Sequence, residues 1–252
     1  MPATPAWPPR SLPRLFVRTA LAEGASVELD AAQANYLSNV MRLGVGAELL
    51  VFDGRSGEWL GRIGEVAKKR MTLSVERRTR SSEAIPDVWL AFAPVKRTQT
   101  DWLVEKATEL GVARLLPVMT QRTVAERVKL ERLQAIAIEA AEQCGRTVLP
   151  AFDEPVALKQ LLTGRDPTRR LFFADENGGD AASTAFAAGP ALILIGPEGG
   201  FTDHERETIR AAPNVVAISL GPRILRAETA ALAALAAWMS VAGDWRAGWV
   251  RS

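Results

Sequence analysis

Three short, uninterrupted apolar runs in the second half of the chain constrain its fold more than any other feature. They span residues 171–174, 192–195 and 215–218. Strands that are buried on both faces of a parallel sheet have this pattern, whereas half-exposed strands alternate apolar and polar residues. Helical patterns alternate with the strand-like runs from about residue 88 onwards. The sequence therefore predicts an α/β domain with a largely parallel sheet.

The first 80 residues have a different pattern. Their apolar segments are short and strand-like, and residues 53–57 between two of them predict a hairpin turn. One helix is predicted to begin at Asp30, with Gln33 as its capping partner, and to end at Gly44. We therefore expect a small β-barrel over residues 1–80 and the α/β domain over residues 81–252.

Small residue counts exclude several kinds of chemistry. The chain has one Cys and one His, so it cannot form an intrachain disulfide or assemble a zinc site of three or four Cys and His ligands. A hydrolase triad would have to use His204, which we interpret as an exposed residue of a charged helix. Cys144 ends an apolar helical stripe and is interpreted as a core residue. No metal is expected.

Positive charge is concentrated in the N-terminal third. Residues 1–80 contain 12 basic and 8 acidic side chains, although the whole chain has a net charge of only +2. A cluster within this third fits a surface that binds a polyanion, although a solvated basic hairpin without a ligand would have the same composition. The cluster comprises Lys68, Lys69, Arg70, Arg77, Arg78 and Arg80.

No secretory signal or membrane span is predicted. The first ten residues are rich in proline and lack an apolar stretch of about 7–15 residues. The most apolar segment, residues 230–242, is shorter than the roughly 20 residues that cross a bilayer. We therefore expect a cytoplasmic protein.

Two loops that follow predicted strands are the main candidates for a ligand site, because parallel sheets bind ligands at the carboxyl ends of their strands. Residues 196–201 form a glycine-rich turn before a helix with a Thr202–Glu205 capping box. This turn fits neither a dinucleotide fingerprint nor a phosphate-binding P-loop, and a tight turn without a ligand stays open as an alternative.

The second loop, residues 219–226, contains two arginines. Arg223 and Arg226 fit the neutralisation of a phosphate or a developing anion, and pairing with Glu198 or Glu228 is the alternative. The helix that follows is apolar on many faces. It is predicted to lie in the core or at a subunit interface.

Taken in order, these loops and several other segments resemble the RsmE family of ribosomal RNA methyltransferases, which belong to the SPOUT class. The resemblance covers almost the whole chain. Its segments are residues 13–16, 36–37 and 40–42, Lys96, and residues 105–112, 121–124, 139–146, 195–201 and 220–230.

The resemblance implies methylation of N3 of a specific uridine in 16S rRNA of the small ribosomal subunit, with S-adenosylmethionine as the cofactor. It also implies a C-terminal trefoil knot, a rare exception to the rule that chains are not threaded. The implied partners are the rRNA and a second copy of the chain, with residues 230–238 as a contact between copies. The N-terminal domain would be a PUA-like RNA-binding domain.

The implied site residues fall into three groups. The cofactor would be held by Asp175, Ile195, Gly196, Glu198, Gly199, Gly200, Leu220, Gly221, Ile224 and Leu225. RNA would be bound by Arg14, Arg42, Lys68, Lys69 and Arg70. Arg14 or Arg226 would stabilise the N3 anion, and Glu198 or Asp175 would remove the N3 proton.

Two other functions are compatible with the sequence. The first is a non-catalytic RNA-binding or ribosome-assembly factor with a knotted fold. The second is a SPOUT enzyme that methylates another base or a ribose hydroxyl. Cofactor binding separates the first from an enzyme, and mapping the methylated nucleoside separates the second from a uridine-N3 methyltransferase.

Overall fold

The computed structural model describes residues 12–67, 70–124 and 127–246. The chain divides into two compact units. The N-terminal unit comprises Met1–Ala84 together with Ala141–Val148, and the C-terminal unit comprises Ile85–Ala140 and Leu149–Ser252.

The N-terminal unit contains a five-stranded sheet in the order β1-β3-β4-β5-β2. All neighbouring strands are antiparallel except β1 and β3. No pairing joins β1 to β2 in the described part of the sheet, so the predicted barrel is an open half-barrel. The strands are β1 (Arg14–Phe16), β2 (Ser26–Leu29), β3 (Glu48–Phe52), β4 (Glu58–Ala67) and β5 (Arg70–Arg80).

Local sequence explains the turns of this unit. The predicted hairpin joins β3 to β4, and Gly57 within it has a φ of +97°, which only glycine adopts readily. Helix α1 (Ala31–Asn35) begins with the predicted capping box between Asp30 and Gln33. It continues as a π-helical segment, Tyr36–Val40, and therefore ends before the predicted Gly44.

The C-terminal unit is built on a sheet in the order β11-β13-β10-β12-β6-β7-β8, with β9 also paired to β7. Every pair in this sheet is parallel, as the continuous apolar runs predict. The strands are β6 (Val88–Phe92), β7 (Arg114–Met119), β8 (Ala151–Phe152), β9 (Val156–Ala157), β10 (Arg170–Ala174), β11 (Asp180–Ala181), β12 (Ala191–Ile195) and β13 (Val215–Ser219).

Helices cover the apolar strands. Strand β12 is buried along its whole length, and its side chains contribute to both apolar clusters of the C-terminal unit. The helices are α2 (Arg97–Glu109), α3 (Leu130–Cys144), α4 (Leu158–Gly164), α5 (Ala182–Ala185), α6 (Asp203–Ala211) and α7 (Ala227–Val241), and a 3₁₀ turn follows at Asp244–Arg246. Helix α7 contributes Trp238 and Met239 to the core, so this apolar helix is largely buried within one chain.

The parallel sheet determines where a ligand site can form. Strands β10, β12 and β13 are neighbours, and all three run in the same direction. The loops that leave their carboxyl ends therefore meet at one edge of the sheet, which is where ligands bind in this class of fold.

Candidate functional site

A cavity of about 500 Å³ lies at the carboxyl ends of β10, β12 and β13. Residues of three loops line it, within 174–178, 195–201 and 218–227. Its volume falls in the range of about 300–1,000 Å³ that is typical of small-molecule sites. The structure thus brings together the two loops expected from the sequence and the loop that contains Asp175.

Most of the predicted cofactor residues line this cavity. They are Asp175, Ile195, Gly196, Glu198, Gly200, Leu220, Gly221, Ile224 and Leu225. Gly199 is the exception, because it is not part of the lining. Its carbonyl oxygen instead accepts a hydrogen bond from Nη1 of Arg122 at 2.7 Å.

Glycine is required at two points of the cavity wall. A Cβ atom on Gly196 would lie 2.7 Å from Cε2 of Phe201, whose ring is buried against Phe173. Gly221 has a φ of +107°, a conformation that side chains disfavour. These glycines allow the backbone itself to form the wall, with its N–H and C=O groups close to a bound molecule.

Asp175 is fixed in place by several bonds. Its side chain is 1% exposed, and its Oδ2 lies 2.6 Å from Nη2 of Arg210. Its Oδ1 accepts a hydrogen bond from the backbone N–H of Asn177 at 2.9 Å, and Nε of Arg206 lies 3.4 Å from the same oxygen. The carboxylate is therefore committed to holding the loop after β10.

Glu198 and Arg226 also line the cavity, and both are exposed. Within the described ranges, neither side chain makes an ion pair or a hydrogen bond. Arg226 is the N-cap residue of α7, and its carbonyl oxygen accepts a hydrogen bond from the N–H of Ala230. A carboxylate and a guanidinium are thus both available to a ligand at one cavity.

Arg14 has a different environment from the one expected for a catalytic residue. Its Nε lies 2.8 Å from a carboxylate oxygen of Glu58, and its terminal nitrogens donate to the carbonyl oxygens of Ala141, Glu142 and Arg146. The side chain is only 10% exposed and is not among the cavity residues. The guanidinium thus links Glu58 to the 141–148 stretch within the N-terminal unit. All three of its nitrogens already donate a hydrogen bond to the protein, without an RNA or a uracil.

Glu58 lies between Arg14 and Arg80. Burial alone would raise the pKa of Glu58, but hydrogen bonds and charges from Arg80 and Arg14 outweigh it and hold the pKa below its ordinary value. Thr79 Oγ1 also donates to this carboxylate. The buried charge is therefore compensated on two sides.

The predicted RNA-binding residues of the N-terminal unit are only partly described. Lys68 and Lys69 lie outside the described residues. Arg70 is exposed, and its Nε lies 2.7 Å from the carboxylate of Glu28, which offsets its charge. Arg42 is exposed, with a φ of +56°, and makes no ion pair within the described ranges.

Two arginines that support the cavity were not assigned a role from the sequence. Arg206 lines the cavity and forms ion pairs with Asp175, Glu176 and Asp203. Arg122 bonds to the glycine-rich loop through Gly199. Arg122 lies in one of the segments that carry the family resemblance, and this position could have indicated its role. For Arg206 the sequence offers no indication of a role beyond its place in a charged helix.

Within the described residues, no group of three or more His, Cys, Asp or Glu side chains is arranged to hold a metal ion. None of the described helices combines the length and apolarity needed to cross a membrane.

Two family models match the chain. An RNA methyltransferase domain matches residues 82–239, and an RNA methyltransferase PUA domain matches residues 29–76. Together with the parallel sheet and its carboxyl-end cavity, these matches define an RNA methyltransferase with an N-terminal PUA domain.

Curated relatives narrow this class further. Ribosomal RNA small subunit methyltransferase E of Rickettsia conorii is 30% identical over 88% of this chain and 93% of the relative. The protein of the same name from Synechocystis is 34% identical over 84% of this chain and 72% of the relative. The chain belongs to the ribosomal RNA small subunit methyltransferase E family, which confirms the resemblance seen in the sequence.

Solved structures agree with this assignment. A methyltransferase from Legionella pneumophila, in complex with the bound cofactor SAM, has a TM-score of 0.84 at 28% identity and covers 92% of this chain and 99% of its own. Ribosomal RNA small subunit methyltransferase E from Neisseria gonorrhoeae, bound to S-adenosyl methionine, has a TM-score of 0.83 at 28% identity, covering 92% and 98%.

Proposed function

We propose that this chain transfers a methyl group from S-adenosylmethionine to N3 of a specific uridine in 16S rRNA of the small ribosomal subunit. The observation that carries the proposal is the cavity at the carboxyl ends of β10, β12 and β13, in a chain of this family. Among the described residues that line it, the carboxylate of Glu198 and the guanidinium groups of Arg223 and Arg226 are unpaired, and they lie beside a wall of backbone groups.

The cavity residues fit the proposed cofactor. Apolar side chains such as Ile195 and Leu225 suit an adenine ring, and the N–H and C=O groups at Gly196 and Gly221 suit its polar edge. When bound, S-adenosylmethionine supplies a methyl group made electrophilic by a positively charged sulfur. The protein then has to supply alignment, which in well-oriented systems lowers a barrier by up to roughly 7–11 kcal/mol.

Glu198 is the base in this proposal. The neutral uracil imide is a poor nucleophile, so its N3 proton has to leave as the N3–methyl bond forms and the sulfur–methyl bond breaks. Glu198 has no competing partner in the described chain, whereas Asp175 is held by Arg206 and Arg210. We therefore assign proton removal to Glu198 and loop positioning to Asp175.

Arg226 stabilises the uracil anion in this proposal. Loss of the N3 proton spreads negative charge onto the two neighbouring carbonyl oxygens, and a guanidinium donates two hydrogen bonds to such oxygens. Arg226 is exposed at the cavity, while the donors of Arg14 are occupied. This difference favours Arg226 over Arg14 for the role.

We also propose that residues 1–80 bind the RNA and that residues 81–252 carry the methyl transfer. The match to an RNA methyltransferase PUA domain supports the first assignment. Arg42, Arg77 and Arg78 are described residues of this unit that suit a phosphate contact, because each is exposed and forms no ion pair within the described ranges. The proposed substrate would put the protein's activity in the cytoplasm.

A homodimer completes the proposal. Helix α7 presents half-buried small and apolar side chains, including Leu232, Ala233 and Ala236, that a second copy would cover. Sedimentation equilibrium of the full chain tests this, since a monomer at micromolar concentration would contradict it.

The test of the function is methylation of small ribosomal subunits, and separately of naked 16S rRNA, that lack the modification. N3-methyluridine cannot form a Watson–Crick pair, so reverse transcription should stop at one new position when the chain and S-adenosylmethionine are both present. Mass spectrometry of the nucleosides should identify N3-methyluridine. A methylated ribose or another methylated base would replace the proposed substrate, and cofactor binding without any methylation would favour the assembly factor.

A further inference from the structure

Three cations lie in loops at the carboxyl-end edge of the sheet and have no role in the proposed chemistry. Lys96 follows β6, Arg122 follows β7 and Arg223 follows β13. Because these strands are parallel members of one sheet, their loops leave from the same edge as the cavity. We refer to Lys96, Arg122 and Arg223 as the cationic rim.

Two of these residues are tied to the cavity by direct observation. Arg223 is part of its lining, and Nη1 of Arg122 donates to the carbonyl oxygen of Gly199 in the glycine-rich loop. The loop containing Lys96 begins at Ala93, whose N–H donates to the carbonyl oxygen of Ile195 at 3.0 Å. The rim therefore flanks the loops that form the cavity.

The rim has uncompensated charge. Lys96, Arg122 and Arg223 are all exposed, and none forms an ion pair within residues 12–67, 70–124 and 127–246. The one hydrogen-bonded guanidinium, that of Arg122, donates to backbone carbonyl oxygens, which leave its charge in place. Three cations at the edge of one cavity create a positive potential at its mouth.

The opposite edge of the same sheet is arranged differently. Arg114, at the start of β7, pairs with Asp153 at 2.6 Å, and Arg169, before β10, pairs with Asp87 at 2.8 Å. Both guanidinium groups also lie over the ring of Trp89. Arg114 and Arg169 at the amino ends are thus neutralised by carboxylates of this chain, whereas no carboxylate of the described residues pairs with a rim cation.

Exposed apolar side chains accompany the rim. Val124 is 79% exposed and Ile224 is 89% exposed, the two highest values among the large hydrophobic residues that the structure describes. Each lies within two residues of a rim arginine, Arg122 or Arg223. Cations next to exposed apolar groups suit a ligand that offers both phosphates and the faces of bases.

We propose that the cationic rim binds the phosphodiester backbone of the RNA strand on either side of the methylated nucleotide. This inference rests on the proposed function and adds to it a second RNA contact, on the catalytic unit itself. From β13 to β7 the rim crosses four strand spacings, roughly 19 Å. A strand laid along this edge would bring consecutive phosphates past all three cations and its base into the cavity.

The charge of the rim favours RNA over a second copy of this chain. A two-fold symmetric interface would bring equivalent patches together, so the same cations would have to face each other or a matching acidic patch. Unpaired Glu198 is at this edge as well, but one carboxylate does not balance three cations. RNA supplies one negative charge per nucleotide and needs no such match.

The test compares the full-length chain with a Lys96→Gln/Arg122→Gln/Arg223→Gln variant. The probe is unmodified 16S rRNA transcribed in vitro, and binding is measured by filter retention over a series of salt concentrations. Each lost phosphate contact on a single strand lowers the salt slope by about 0.7, so the triple variant should lose about 2 and bind at least tenfold more weakly at low salt. Arg170→Gln is the matched control, because Arg170 is an exposed cation at the amino end of β10 and forms no ion pair with any described residue.

A second variant guards against indirect damage to the cavity. Lys96 is not a lining residue, so Lys96→Gln should leave the S-adenosylmethionine Kd unchanged by calorimetry while raising the KM for RNA and preserving kcat. An unchanged RNA Kd and salt slope in the triple variant would overturn the inference. So would a change in sedimentation without a change in RNA binding, because the surface would then serve a second copy.

The failure of this inference is distinguishable from the failure of the proposed function. If the unaltered chain binds RNA with a slope that depends on the rim but transfers no methyl group to it, the proposed function fails and the rim stands. If methylation occurs at the expected uridine and the rim variants bind RNA normally, the proposed function stands and the inference about the rim fails.

Discussion

Arg210 holds Asp175 through an ion pair of 2.6 Å, and Asp175 is almost completely buried beside the cavity. Arg210 also donates to the carbonyl oxygen of Gly178, so one guanidinium ties down both ends of the loop after β10. The wall of the cavity formed by this loop therefore depends on a residue that is not part of the lining.

Arg210→Ala should weaken cofactor binding. Without Arg210 the loop after β10 would be less ordered in the free protein, so cofactor binding would have to order it. We expect this to raise the S-adenosylmethionine Kd about tenfold, equivalent to about 1.4 kcal/mol. Isothermal calorimetry measures this directly. Lys159→Ala, which removes an exposed cation from α4, is the control, and equal Kd values for the two variants would remove Arg210 from the support of this loop.

Glu198→Gln should slow methyl transfer with little effect on folding. The amide keeps the size of the side chain but cannot accept the N3 proton, and loss of a general base typically costs about 10²–10⁴ in rate. Single-turnover methylation at saturating RNA and cofactor measures the step. Glu207→Gln, on the exposed face of α6, should be unaffected. A rate for Glu198→Gln within about tenfold of the parent would argue for another proton acceptor.

Arg226→Ala should reduce methylation more than it weakens cofactor binding. Removing a donor that stabilises a developing anion typically costs about 10²–10³ in kcat. Arg226→Lys keeps the charge but loses the paired donors, so it should recover only part of the rate. Equal single-turnover rates for Arg226→Ala and the parent would exclude this role.

Gly196→Ala should damage the cavity by steric contact alone. The new methyl group would lie 2.7 Å from the ring of Phe201, which is packed edge-to-face on Phe173 at a centroid distance of 5.2 Å. Displacing this ring should raise the S-adenosylmethionine Kd and lower the free energy of unfolding by about 1–3 kcal/mol. Gly164→Ala has open space around its Cβ and should be neutral or slightly stabilising in a denaturation experiment.

Glu58→Gln should destabilise the N-terminal unit in a pH-dependent way. The pKa of Glu58 is lowered on folding, so its charge contributes stability above its ordinary pKa of 4.5, and this contribution is lost as the pH falls through the lower folded value. Removing one partner of a buried pair costs about 3–5 kcal/mol at neutral pH. The difference in the free energy of unfolding between the parent and Glu58→Gln should become smaller at acidic pH.

Urea denaturation at several pH values checks this profile. Glu28→Gln, which breaks the exposed pair with Arg70, should cost no more than about 1 kcal/mol. If the free energy of unfolding of Glu58→Gln differs from that of the parent by the same amount from neutral to acidic pH, the lowered pKa of Glu58 does not contribute to stability as expected.

The central strands could be predicted from the sequence to within a residue. Residues 171–174, 192–195 and 215–218 correspond to β10 (Arg170–Ala174), β12 (Ala191–Ile195) and β13 (Val215–Ser219). Burial on both faces leaves an unbroken apolar run, which is a local signal. The cavity loops followed from these strands, because parallel strands present their carboxyl ends at one edge.

Roles that depend on distant partners could not be predicted in this way. Arg14 contacts Glu58, 44 residues away, and Ala141, 127 residues away, so its neighbours in sequence give no indication of its environment. Gly196 and Gly200 of the same loop line the cavity, whereas the carbonyl oxygen of Gly199 accepts a hydrogen bond from Arg122, which lies 77 residues earlier. In both cases the tertiary fold, and not the local sequence, determines whether the residue lines the cavity or contacts another part of the protein.

The inclusion of Ala141–Val148 in the N-terminal unit has a consequence for biosynthesis. Arg14, Arg80 and Glu83 bond to residues of this stretch, so these particular bonds cannot form until the ribosome has made 148 of the 252 residues. The N-terminal unit is therefore still incomplete when residue 84 has been made, although the C-terminal unit, which includes α7, is completed later still. Nascent chains cannot complete this unit until part of the C-terminal unit has been translated, and a fragment that ends at residue 84 would lack the bonds to residues 141–148.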